Sequence, residues 1–126
     1  LAQSAECATS SALIKKPALA VKRFMAAVEA GDGVTACSLL TKRAEAEAKA
    51  DFVEIGLVDA DASCPEMIQD LSEAVAEMGG YGTIRARTIV VNGNKAKVKL
   101  TTSAFNTTEI HRLRRVSGTW LLDGNS

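Results

Sequence analysis

An α+β domain, helices first and an antiparallel meander after them, is the fold this sequence of 126 residues predicts. Three observations carry the prediction. Apolar residues recur at helical spacing in three segments between Pro17 and Met78. After Gly82 the period changes to the alternation of strands. Asn92-Gly93-Asn94 and Ser117-Gly118 then read as hairpin turns.

Residues 1–13 are small and polar and read as a flexible N-terminal tail, leaving 14–126 as one domain. Pro17 suits the first turn of a helix, where its missing N–H would be unsatisfied anyway. Val21, Phe24, Met25 and Val28 make one apolar stripe. Gly31 ends that helix, and Asp32 can cap the next. A second helix begins near Val34 and continues through the alanine-rich run Lys42–Ala50, whose helix propensity is high. Glu45 and Lys49 stand four apart in the favourable order for an ion pair. Phe52, Val53, Ile55, Leu57 and Val58 return the chain to the core through a less regular segment.

The third helix has the clearest start. Ser63-Cys64-Pro65-Glu66 reads as a capping box, and Met67, Ile68, Leu71, Val75 and Met78 follow at helical spacing. Gly79-Gly80 stops it. Four strands are expected next: Thr83–Val91, Lys95–Phe105, Thr107–Val116 and Thr119–Leu122. In the second, Ala96, Val98 and Leu100 share one face and Lys95, Lys97 and Lys99 the other.

Composition excludes several classes. The apolar runs are only a few residues long, so no transmembrane segment is expected. The opening stretch is too short for the apolar core of a signal peptide, so an exported protein would have lost its signal already. One histidine, three cysteines and no C-x-x-C pair argue against a zinc site, and no metal or other cofactor is expected. Net charge is formally zero but segregated. Residues 29–77 hold twelve acids against three bases, and residues 83–116 hold eight bases against one acid, Glu109. Such a dipolar surface can guide partners. It lacks the interleaved exposed aromatics of a single-strand nucleic-acid platform, so nucleic acid is not an expected partner.

Three stretches together resemble a known family. Ala20–Asp32 is an apolar helix with Phe24 and a closing Gly-Asp. Ala36-Cys37-Ser38-Leu39-Leu40-Thr41 follows, and Arg112–Asp123 is a hairpin whose turn glycine precedes Trp120. In order and spacing they are similar to small exported bacterial members of the nuclear transport factor 2 (NTF2)-like superfamily, which includes the SnoaL and ketosteroid-isomerase-like cones. The resemblance covers roughly residues 17–124. It implies three helices on a curved antiparallel sheet of about four strands, with a pocket at the open end. Members include isomerases, polyketide cyclases, dehydratases and transport adaptors, so the fold does not fix a function. The tyrosine and paired aspartates of the ketosteroid isomerases have no clear counterparts here, since the one tyrosine, Tyr81, lies far from the first helix. The Asp-Arg-Asn set of the epoxide hydrolases is not recognisable either.

The resemblance also implies a bridge between Cys37 and Cys64, worth about 3–4 kcal/mol by loop closure, and with it a secreted or cell-surface location. Two buried free thiols in a reducing compartment are the alternative. Cys7 is a spare thiol or an intermolecular bridge; lipid anchoring through it is a further alternative, although Glu6 precedes it where a small residue is wanted.

His111 is the one side chain with an ordinary pKa near neutrality. It shares a strand face with Leu113 and with Glu109, so the pair is a candidate for acid–base work in the pocket; a histidine satisfied by a neighbour is the plainer reading. Phe24, Phe52, Tyr81, Phe105 and Trp120 are candidates for pocket walls, against simple core packing. Arg85, Arg87, Lys95, Lys97, Lys99, Arg112 and Arg114, with Arg115, form a basic sheet face. It is a solvated surface, or a contact for an acidic protein partner or a second subunit. The leading expectation is a non-catalytic module that binds a small apolar ligand or a protein. The alternative is an isomerase, cyclase or dehydratase using His111 and Glu109, or Asp51 or Glu54, as base. A structural dimer module is the third reading.

Overall fold

In a computed structural model of the chain, residues 13–125 are described. Cys7 and any modification of it fall outside that range. Four helices precede four strands: α1 (Pro17–Ala30), α2 (Gly33–Ser38), α3 (Lys42–Glu54), α4 (Cys64–Glu77), then β1 (Ile84–Asn92), β2 (Lys95–Thr102), β3 (Thr107–Val116) and β4 (Thr119–Asn125). The strands form one antiparallel sheet in the order β1-β2-β3-β4. The α+β class and the meander are those the sequence predicts; β4 runs three residues further than expected.

α1 starts on Pro17 and stops at Gly31, whose left-handed backbone (φ 70°) lets the next N–H turn back to the Ala27 carbonyl. Ala20, Val21, Met25 and Val28 are buried, and α1 lies across the sheet against β1, β2 and β4. Asp32 caps α2 by accepting from the Thr35 N–H at 3.1 Å.

The expected second helix is two helices, so there are four rather than three. Leu39, Leu40 and Thr41 leave the helical path and lie alongside β4. The Leu122 N–H donates to the Leu39 carbonyl at 2.8 Å, and the Thr41 N–H donates to the Leu122 carbonyl at 2.9 Å. Thr41 then caps α3: its hydroxyl accepts from the Ala44 N–H at 3.1 Å and donates to Asp123 at 2.6 Å. Propensity favoured one continuous helix. Pairing with a strand some eighty residues later satisfies the same backbone groups and buries Leu39 as well.

Within α3 the expected Glu45–Lys49 pair gives way to Arg43–Glu47 at 3.3 Å, because Lys49 donates to the Ala62 carbonyl. α3 also takes in Phe52 and Val53, which the sequence had placed in a less regular segment; Ile55 is exposed and Val58 is buried. α4 opens with the expected capping box at Ser63 and Glu66 and buries Met67, Ile68 and Val75. A disulfide joins Cys37 of α2 to Cys64 of α4, with Cα atoms 6.1 Å apart. No helix among the described residues is long and apolar enough to cross a membrane.

The sheet has one buried face. Ala96, Val98, Leu100 and Thr102 of β2 point inward with Leu113, Trp120 and Leu122. Register places Leu113 opposite Ala96, His111 opposite Val98 and Glu109 opposite Leu100, so His111 and Glu109 belong to the inner face. Register shifts interrupt β1 between Thr88 and Val90 and the β3–β4 pair between Arg112 and Leu113.

Candidate functional site

Between the inner face of the sheet and α1, α3 and α4 lies a cavity of about 420 Å³. It sits toward the end of the sheet where β2 turns into β3, with Thr102, Phe105 and Thr107 on its wall. Four of the five aromatics singled out from the sequence line it: Phe24 from α1, Phe52 from α3, Tyr81 before β1 and Phe105 in the β2–β3 turn. Phe105 meets Tyr81 edge to face, centroids 5.6 Å apart. Met67, Ile68, Leu71, Leu100 and Leu122 belong to the apolar wall as well.

Trp120 does not line this cavity, contrary to expectation. It is only 2% exposed, its backbone N–H donates to the Ile14 carbonyl at 3.0 Å, and the Arg115 guanidinium lies 5.4 Å from its ring. The reason is position along the strand. Trp120 pairs with Arg115 near the β3–β4 turn, at the opposite end of the sheet from Phe105.

The polar groups of the wall are Glu47, Asp51, Thr102, Thr107, Glu109, His111 and Asn125. His111 Nε2 and Glu109 Oε1 are 3.1 Å apart; the imidazole side chain is 12% exposed and the carboxylate 50%. An ionised carboxylate only accepts, so Nε2 is the donor in this bond. The hydrogen bond from His111 holds the Glu109 pKa below its ordinary value; burial works against this, and the histidine's charge adds to it. Asp51 lines the cavity, while Glu54, the other acid considered as a base, does not.

Arg112 departs from the basic face that strand alternation predicts for it. Its guanidinium reaches Glu47 Oε2 of α3 at 3.4 Å. The path runs past Gly124, its partner on β4, at φ 128°, where an added Cβ would collide with both the Glu47 carboxylate and the Arg112 guanidinium. Glu47 thus answers two arginines, Arg43 and Arg112. A glycine inside a strand is a sequence signal of close approach, but the sequence places the end of the fourth strand at Leu122 and so leaves Gly124 outside it. The other basic residues, Arg85, Arg87, Lys95, Lys97, Lys99 and Arg114, lie on the outer sheet face away from the cavity, where Arg87 stands opposite Lys99 and Lys95 opposite Arg114.

Burial, with the charges of Glu29 and Glu109 adding to it, pushes the Tyr81 pKa from 10.0 up to about 12. The raised value means that Tyr81 supports the fold below pH 10.0 and that this support is lost as the pH rises from there toward 12. The chain has one tyrosine. Absorbance titration of its phenolate should therefore give a midpoint near 12; a midpoint at 10.0 in the folded chain would place the hydroxyl in water.

Among the described residues no group of three His, Cys, Asp or Glu side chains is placed to hold a metal. The arrangement can do two things chemically. It can shelter an apolar body, and it can offer acceptors and one imidazole to a polar end. Compared with protein families, curated proteins and solved structures, the chain matches none.

Proposed function

We propose that the chain is an exported NTF2-like domain that binds a small, largely apolar ligand without transforming it. The observation that carries this reading is the inner cavity: about 420 Å³, walled by aromatic and aliphatic side chains, with a few convergent polar groups. Small-molecule sites are built this way because apolar area gives affinity and a few polar groups give orientation. The Cys37–Cys64 disulfide supports an oxidising compartment. The order of helices before a meander, and the Gly-Asp and Gly-Thr-Trp stretches, support the NTF2-like assignment.

Native mass spectrometry of the untreated chain, set against its denatured mass, tests this reading, together with titration of an environment-sensitive apolar fluorophore. A bound mass or saturable probe uptake is expected. Phe52→Asp should weaken the uptake by at least about tenfold, since it puts a charge into the apolar wall. A bare mass with no probe uptake would sink the proposal.

One observation favours a second reading, a proton-transfer enzyme of the isomerase or dehydratase kind. Glu109 accepts a hydrogen bond from His111 Nε2 at the cavity wall, as an orienting carboxylate does for a general base. Under that reading His111→Gln would abolish turnover of the bound compound and leave its affinity nearly unchanged.

A further inference from the structure

The end of the sheet away from the cavity collects exposed aliphatic and cationic side chains. The two hairpin turns meet there: the Arg115 N–H donates to the Asn94 carbonyl at 2.7 Å and its Nε to Asn94 Oδ1 at 3.2 Å. Leu13 and Ile14 lie at the same end, the Ile14 N–H donating to Thr119 Oγ1 at 2.8 Å. Leu13 is 51% exposed, Val90 46%, Val91 53% and Val116 37%. Lys15, Lys16, Lys95 and Arg114 are exposed at the same end of the sheet.

Lys95 stands directly opposite Arg114, and farther along the same outer face Arg87 stands opposite Lys99. Like charges directly opposite each other destabilise a sheet. Among the described residues no carboxylate pairs with them: the one acid between residues 83 and 116 is Glu109, which belongs to the inner face. We propose that this end of the molecule docks on an anionic lipid surface, its cations among the headgroups and its four aliphatic side chains at the acyl boundary.

The chemistry favours lipid over protein. Protein interfaces are poor in lysine and centre on exposed aromatics, whereas this end is rich in lysine and its one aromatic, Trp120, is buried. A symmetric pairing of two copies through the face would set each cation against another's cations. A fluid anionic surface accepts lysines in any arrangement, and free aliphatic side chains add apolar burial. Charge is segregated along the chain, with twelve acids against three bases in residues 29–77 and eight bases against one acid in residues 83–116, and such a dipole orients the molecule on approach. The cavity would then lie away from the lipid.

Co-sedimentation of the full chain with phosphatidylcholine vesicles, with and without phosphatidylglycerol, tests the proposal. Binding to the anionic vesicles alone is expected, weakening as salt is added. Lys95→Gln and Arg114→Gln should each lower the affinity about fivefold. Val91→Ser should lower it too. All three side chains are exposed, so the variants should keep the parent circular dichroism spectrum. Equal binding to both vesicle types, or unchanged binding by the double charge variant, would overturn the proposal. So would retention on immobilised polyglutamate without vesicle binding, which would assign the face to an acidic macromolecule. A stable dimer that ignores vesicles would overturn it as well.

Discussion

Reduction of the Cys37–Cys64 bridge should lower the midpoint of thermal unfolding by roughly 10–15 °C. The two cysteines are 27 residues apart, and the closed loop holds all of α3 and the irregular stretch that follows it. In the chain-entropy account a loop of this length is worth about 3–4 kcal/mol. The enclosed segment needs that constraint, because it buries little itself. Of α3's residues only Ala44 is fully buried, and Val58 is the one fully buried apolar residue between α3 and α4. The bridge also holds α2 against α4 so closely that a Cβ at Gly33 would lie 2.9 Å from Pro65 Cα. Circular dichroism melts with and without reductant measure the effect, and a double Cys37→Ala, Cys64→Ala variant separates the bond from the reagent. Identical melts would show that the rest of the fold restrains the loop on its own.

Trp120→Ala should destabilise the fold by about 3–5 kcal/mol, the usual range for emptying a buried indole site. The ring is 2% exposed, lies under Arg115 and belongs to the same core cluster as Ile14, Val98 and Leu113. Its loss removes the apolar contacts and leaves a cavity that the sheet cannot collapse into. For a domain whose total stability is on the order of 5–15 kcal/mol, much of the margin goes. Urea unfolding followed by far-ultraviolet circular dichroism gives the value, since the one tryptophan is then gone. Trp120→Phe should retain most of the stability. The ring is absent from the cavity wall, so the folded fraction of the alanine variant should take up apolar probe with parent affinity. A parallel loss of probe binding would put the indole in contact with the ligand.

The parts of the fold that could be read from the sequence are those set by near neighbours. Pro17, Asp32 and Ser63 mark helix starts because each solves a local problem of unpaired N–H groups. Strand alternation put His111, Glu109 and Leu113 on one face because side-chain direction follows register alone. The break at Leu39–Thr41 could not be read, since its partner is Leu122. Local propensity there pointed to an uninterrupted helix, and a distant strand decided otherwise. The same limit applies to the site. All five aromatics read alike in the sequence, and only position along the sheet separates Phe52 and Phe105 from Trp120. Met67, Ile68 and Leu71 read as a core stripe, although the cavity takes its deep wall from them. Arg112 alternates as an outward residue, and what turns it to Glu47 is the missing side chain of Gly124 on the neighbouring strand.

An open sheet offers two free edges, and each is a template on which a strand from another molecule can grow. Here the pairing of Leu39 and Thr41 with Leu122 occupies the middle of the β4 edge. The register shift after Thr88 breaks the run of evenly spaced groups along β1. The same break that divides the second helix therefore also works against polymerisation. Part of the chain's own backbone fills the place that an intruding strand would take.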